Sequence, residues 1–298
     1  MGKKLRFEFI HNHAEVGERA VFCRVLKVTF HGYKKYVKNL SKPCKYAGLL
    51  ARIKAIREED VFNKTYGKRR MYEKLVLEGY KVSYNTVAKV MRKNNLLQPE
   101  NKPKGLTKAD KKAQKSDDLL QRNFVAETPN TKAVTDITEW KAKDGKLYTA
   151  GIFDCFDSAC LGLGIAENMK AELVEESLIQ AAGRFNLKGA ISHSDRGSQY
   201  TSELFRAALE KFKIRQSMNS AAGRCHDNAR CESFWARAKN EILVVYDTKK
   251  MKRDDLKIVL FNYFMGYWNN RRICSAIGGV PPFKKRDDYY KKLILSVA

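Results

Sequence analysis

"TKAVTDITEWKAKDGKLYTAGIFDCFDSACLGLGIA", residues 131–166, carries the reading on which the fold turns. Its stretches 131–140 and 146–166 read as successive strands in a hairpin-like arrangement, with Lys143-Asp144-Gly145 at the turn. Downstream the period changes. Leu173, Val174, Leu178, Ala181 and Ala182 fall on one face of a helix over about 171–185. A strand follows at 188–193, a helix over about 202–212, a strand at 213–218 ("KIRQSM") and a long helix from near Asp227. Strands followed by alternating helix and strand predict an α/β domain with a mixed sheet flanked by helices.

The upstream half has a different texture. Residues 99–121, "PENKPKGLTKADKKAQKSDDLLQ", are poor in apolar side chains and hold six lysines, the composition of a linker or an exposed helix. Before it, a helix around Leu49–Ile56 leads into "TYGKRRMYEKLVLEGYKVSYNTVAKVMRKNNL" (65–96). Gly79 ends one helix there, and Ser83 caps the next, which buries Val87, Val90 and Met91. Tyr84, Asn85, Lys89 and Arg92 then point outward, a mixture suited to phosphates and base edges. Residues 19–38 read as two short helices around Lys27-Val28-Thr29, compatible with a helix-turn-helix. Val21, Val25 and Leu26 are expected inward, with Lys34, Lys35 and Lys38 outward.

A chain of 298 residues suits two or three domains, and 44% hydrophobic residues exclude a disordered one. The formal charge is +25, of which +18 falls in residues 1–122 (30 Lys/Arg against 12 Asp/Glu). Such a front half attracts polyanions. There is no 18-residue apolar run and no signal-peptide pattern, so the expected location is the cytoplasm, with no membrane partner. Seven cysteines without C-x-x-C spacing read as reduced thiols. His11, His13, Cys23 and Cys44 match no standard zinc spacing.

Three acids stand out. Asp136 lies inside the first strand, between Val134 and Ile137, where an unpaired charge is costly. Asp195, in "ISHSDRGSQYTS" (191–202), lies at the C-terminal end of a later strand, where open α/β sheets gather ligands. Glu232 lies on the last long helix, "DNARCESFWARAKNE", with Asn228 and Lys239 on its face and Phe234, Ala238 and Ile242 as an apolar stripe. Together these carboxylates would repel, and divalent cations with hard oxygen ligands resolve the repulsion. Mg²⁺, with Mn²⁺ as a substitute, is the expected cofactor, as two ions about 3.5–4 Å apart. Asp154 and Asp157 are rival ligands that spacing does not exclude.

"NTKAVTDIT", "HSDRGSQYTS", "DNARCESFWARAKNE" and "YWNNRRICSAIGGVPP" together resemble the second-frame product of bacterial insertion-sequence transposases of the IS-three type. Those are D-D-E recombinases with a ribonuclease H-like core, kin to retroviral integrases. The resemblance spans almost the whole chain. "VFCRVLKVTFHGYKKY" is similar to the family's front segment, and "YGKRRMYEKLVLEGYKVSYNTVAKVMRKNNL" to its second helical DNA-binding region. The resemblance implies a ribonuclease H-like α/β catalytic core preceded by small all-α helix-turn-helix DNA-binding regions. It assigns Asp136, Asp195 and Glu232 as catalytic acids and metal ligands, and Lys239 as the helix lysine near the reacting phosphate. His193, Ser194, Arg196, Gly197 and Gln199 match the block around the second acid. There, Gly197 would let the backbone turn, and Arg196 and His193 would orient the carboxylate or meet phosphate. Expected DNA contacts are Lys239, Asn228, Arg196, Tyr84, Asn85, Lys89, Arg92, Lys68, Arg69 and Arg70.

The implied division is a helix-turn-helix-like segment 1–46, a helical DNA-binding domain 47–98 and a basic linker 99–125. The catalytic core spans 126–246, with a helical extension over 247–298. The implied activity is metal-dependent cleavage at element ends followed by strand transfer. Implied partners are double-stranded DNA (terminal repeats and target), further copies of this chain, and a first-frame product or a fusion to it. Two departures are visible. Between Asp195 and Glu232 lie 36 residues, one more than is usual in the family, so the usual count lands on Cys231. Ala133 stands where relatives commonly have Trp. A catalytically silent DNA-binding regulator and a ribonuclease H-like nuclease that only hydrolyses are the alternative readings.

Overall fold

The Asp144-Gly145 turn closes a long antiparallel hairpin, Gly145 taking a φ of 142° that favours glycine. Its strands are β1 (Lys132–Ala142) and β2 (Gly145–Asp154), and β3 (Cys160–Ala166) continues the antiparallel run. The computed structural model describes residues 2–40, 45–98, 117–121, 123–219 and 229–297. β4 (Ile191–Ser194) and β5 (Arg215–Met218) add to the other edge in parallel, giving the order β3-β2-β1-β4-β5. The mixed sheet is therefore as expected.

Small residues decide which helix lies on which face. A Cβ on Gly162 would sit 2.0 Å from the Ser177 carbonyl oxygen, and one on Gly164 would sit 2.3 Å from that of Leu173. Only hydrogen at these positions lets α7 (Ala171–Arg184) rest directly on β3. Leu173, Val174, Leu178 and Ala181 of α7 join Phe205 and Leu209 of α9 (Glu203–Lys211) in the main core. Between β4 and α9 comes a single turn, α8 (Ser198–Thr201), which the periodicity does not reveal. On the opposite face, a Cβ on Gly151 would meet the Trp235 ring at 2.9 Å. That ring belongs to α10 (Ala229–Val245), whose Cys231, Phe234, Ala238 and Ile242 are also buried.

After α10 come α11 (Arg253–Phe261), a π-helical stretch at Asn262–Trp268 and α12 (Pro282–Val297). Arg286 of α12 bonds Asp154 Oδ2 at 2.5 Å and Asp157 Oδ2 at 2.6 Å. Both acids are fully buried at the β2–β3 turn. They are the counter-charges of Arg286, so they are not metal ligands. One guanidinium between two carboxylates leaves a net negative charge. Burial and the Asp157 charge accordingly push Asp154 up to about 6.

Contacts divide the chain into two units, Met1–Ile53 and Lys54–Ala298. In the first, α1 (Lys3–His13), α2 (Arg19–Val25) and α3 (Phe30–Leu40) surround Ile10, Ala14, Cys23 and Tyr33. Val21 and Val25, expected inward, are 56% and 71% exposed. Leu26, just after α2, packs against the core as expected, while the packing of α1, with Phe7 and Ile10 facing the core, turns Phe22 and Cys23 of α2 inward in place of the two valines. Lys34, Lys35 and Lys38 are exposed as expected. α4 (Ala47–Glu59) runs across the boundary.

The second unit holds α5 (Lys68–Leu77) and α6 (Tyr84–Lys93) beside the sheet domain. Gly79 has a φ of 84°, and the Ser83 hydroxyl accepts from the Thr86 N–H at 3.2 Å, so both helix boundaries hold. Val87, Val90 and Met91 are buried, while Tyr84, Asn85, Lys89 and Arg92 are exposed. Residues 99–116 of the expected linker lie outside the described residues. No helix among the described residues is long and apolar enough to cross a membrane.

Candidate active site

Strand register places the first two acids. β1 and β4 run parallel, with Val134 opposite His193. Two residues further along, Asp136 still lies within β1 and Asp195 directly follows the end of β4, so both sit at the same end of this parallel pair. Asp136 also pairs with Gly151 across the hairpin. Directly opposed residues share a face, and the face at Gly151 is the one covered by Trp235 of α10. Glu232 and Lys239 lie three residues before and four after Trp235, on one stripe of that helix.

Electrostatics agrees with this placement. Burial, then the charges of Asp195 and Glu232, push Asp136 up to about 7, against an opposing N–H from Ile137 and the Lys239 charge. Burial also raises Asp195, against the N–H of Gly197. Each aspartate uses Oδ1 for one main-chain N–H, at 2.8 Å for Asp136 and 2.9 Å for Asp195. Among the described residues no donor engages Oδ2 of either. Burial lowers the Lys239 pKa, while Glu139 and Asp136 oppose the shift. The Lys239 ammonium lies 5.7 Å over the Trp140 ring, whose indole N–H donates to Thr149 at 2.9 Å. Glu232 is exposed and Cys231 is fully buried, so Glu232 is the one of the two that faces solvent. Among the described residues no three acidic, histidine or cysteine side chains are close enough to cage a metal ion unaided.

The donor chemistry nonetheless fits a hard divalent cation. Two neighbouring aspartates keep one oxygen each unbonded, and a third acid lies within electrostatic reach. Asp136, Asp195 and Glu232 could supply such oxygens.

The neighbours of the acids make the following bonds. Gly197 has an ordinary φ of −56°. It is small because a Cβ would lie 3.1 Å from Asp195 Oδ1, crowding the carboxylate that its own N–H holds. His193 is buried, with Nδ1 2.8 Å from the Ser217 hydroxyl and Nε2 2.9 Å from Asn219 Oδ1, so it ties β4 to β5. Arg196 Nε donates to the Asn219 carbonyl at 2.7 Å. Gln199 reaches back to the Met169 carbonyl at 2.8 Å. Beneath the site Tyr200 is buried against Thr135, its hydroxyl 3.3 Å from Thr135 Oγ1.

The remaining expected contacts divide. Arg70 turns inward to buried Glu241 at 2.7 Å, and Arg69 pairs with Glu73 at 2.6 Å while staying exposed. Lys68 is half-buried in the first turn of α5. Asn228 lies outside the described residues, as do residues 220–227 between Asp195 and Glu232. Sequence reasoning missed Arg286, the Glu241–Arg272 pair and Tyr200. Each is polar with a partner far away in sequence, and only the isolated buried Asp154 and Asp157 hinted at such an arrangement.

The family described as "Integrase core domain" matches residues 126–225, and that described as "HTH-like domain" matches residues 45–104. The chain is 32% identical over 256 residues to the putative transposase InsK for insertion element IS150 of Escherichia coli K12, covering 86% of this chain and 88% of that one. It is 29% identical over 289 residues to the transposase InsF for insertion sequence IS3A of the same organism, covering 93% and 97%. The magnesium-bound HTLV-2 integrase catalytic core has a TM-score of 0.39 at 17% identity, over 54% of this chain and 98% of that one.

Proposed function

Because the chain belongs to the insertion-sequence transposases that carry an integrase core, we propose that it cleaves DNA at the ends of its element and joins those ends to target DNA through Asp136, Asp195 and Glu232. DNA transposition is its function and phosphodiester transfer its chemistry. The observation that carries the site is the strand register, which sets Asp136 on the sheet face packed against the helix of Glu232 and beside the end of β4, where Asp195 follows.

Magnesium, or manganese in its place, bound as two ions by these oxygens, would neutralise the acids and the charge that builds on the transferred phosphate. The chain's own groups do the rest by positioning, since phosphoryl transfer requires no covalent protein intermediate. The Ile137 and Gly197 N–H groups hold the two aspartates through Oδ1, and the second oxygen of each would serve the metal. Lys239, steadied over Trp140, presents its charge to a DNA phosphate beside Asp136. The exposed row on α6, Tyr84, Asn85, Lys89 and Arg92, contacts duplex DNA, joined by Arg196, Asn228 and the basic start of α5. Arg70 serves there mainly by holding Glu241.

The working division remains 1–46, 47–98, 99–125, 126–246 and 247–298. Assembly of several copies on paired DNA ends, work at the nucleoid, and a first-frame partner follow from the resemblance. The test is a cleavage and strand-transfer assay on the element's own ends. Asp195→Asn and Glu232→Gln should lose both reactions while keeping duplex affinity. Strand transfer retained by either variant would sink the assignment.

A further inference from the structure

A cavity of about 460 Å³ opens between α5, α10 and the 272–276 segment, away from the acids. One stripe of α10 lines it: Arg237, Asn240, Glu241 and Val244, at the i, i+3, i+4, i+7 spacing of a helix face. Lys239, two residues from Arg237, faces the other way, toward Asp136. From the other walls come Arg69, Arg70 and Arg272.

The charges do not cancel. Arg272 forms a bidentate pair with Glu241, through Nε at 3.0 Å and Nη2 at 2.7 Å, and Arg70 binds the same carboxylate at 2.7 Å. Tyr263 donates its hydroxyl to Glu241 as well. The one acid of the lining is therefore saturated by two guanidiniums. Arg69 leans on Glu73. Arg237 has no hydrogen bond or ion pair among the described residues, although burial and the neighbouring Arg272 both work against its charge. Arg237 is exposed at this opening, so an entering anion can reach its unpaired guanidinium. The first turn of α5 adds one more cation, Lys68, and no acid.

We propose that this cavity seats a phosphodiester of bound double-stranded DNA, with Arg237 as the contact that closes on it. The inference rests on the transposase reading. One wall belongs to the HTH-like match and another to the helix that carries Glu232, so a duplex touching both passes this opening. A guanidinium fork suits a phosphate oxygen pair, and a lysine in its place would give a weaker point contact.

The experiment is a salt titration of full-chain binding to a duplex of fixed length, for wild type, Arg237→Ala, Arg237→Lys and the reference double variant Lys89→Ala/Arg92→Ala. One lost phosphate contact lowers the log–log slope by about 0.9. Arg237→Ala should show that loss at an unfolding midpoint no lower than wild type, since no hydrogen bond or ion pair among the described residues goes with the side chain, and Arg237→Lys should recover part of it. If the Arg237→Ala slope equals wild type while the α6 double variant loses slope, the cavity proposal fails and the DNA-binding reading stands. If wild type shows no salt-dependent binding, both fail together.

Discussion

Asp136 lies within β1 and Asp195 directly after the end of the neighbouring parallel strand β4, each two residues beyond the paired Val134 and His193, and the Asp195 charge acts on Asp136. The fold thus holds two like charges side by side, with Glu232 raising the cost, and pushes Asp136 up to about 7. Such an arrangement is a liability to the metal-free protein.

Removing one charge should therefore stabilise the metal-free fold. Asp195→Asn is expected to raise the unfolding midpoint by about 2–4 °C for each kcal/mol of relieved repulsion in a chain of this size. Added Mn²⁺ should stabilise wild type and do little for the variant. A lower midpoint for Asp195→Asn in chelator would show that the two acids do not oppose each other.

Arg286→Ala leaves Asp154 and Asp157 buried without their counter-charge. Breaking a buried pair from one side costs about 3–5 kcal/mol. Arg286→Lys should recover little, because one ammonium does not reproduce bonds from separate nitrogens to two acids. Urea unfolding of the three proteins is the check, and a loss below about 1 kcal/mol would mean that α12 is not anchored there.

These two acids also mark the limit of what the sequence shows. The strand order, the Ser83 cap, α7 and the buried face of α10 are local or periodic features, and the residues carry them openly. A buried acid looks the same in a linear reading whether it faces a cation or another acid. Asp154 and Asp157 became distinguishable from Asp136 only when α12 brought in Arg286, 132 and 129 residues away. The orientation of α2 was illegible for a similar reason, since Phe7 and Ile10 of α1 decide which valines face solvent. Likewise, Gly197 reads as a turn residue in sequence, and its closeness to Asp195 emerges only in three dimensions.

The Glu241 cluster should make stability depend on pH. Burial alone would raise its carboxyl, but Arg272 and Arg70 outweigh burial and hold it below the usual carboxylate range. A depressed folded value means that the unfolded chain takes up the proton first, so the contribution is present above the unfolded value and lost as pH falls through the folded one. The unfolding free energy of wild type relative to Glu241→Gln should thus shrink from pH 7 to pH 4 and below. A difference independent of pH would contradict the ion cluster.

Gly162→Ala forces a methyl group against the Ser177 carbonyl. Because that oxygen is backbone, α7 must lift from β3, with a cost at or above the roughly 1–3 kcal/mol of ordinary overpacking. Gly183→Ala, which meets nothing within 4 Å on the same helix, is the matched control. Equal midpoints for the two would refute direct contact between helix and strand.

The anchoring of α12 bears on how defective copies of the gene behave. The region that matches the integrase core ends at residue 225, yet the counter-charge for two of its buried acids arrives at residue 286. A reading frame interrupted between those positions still encodes the recognisable core and leaves it with an uncompensated interior. Such products should be cleared by proteolysis instead of accumulating as rivals for the same DNA ends, so silencing by truncation would remove the protein along with the activity.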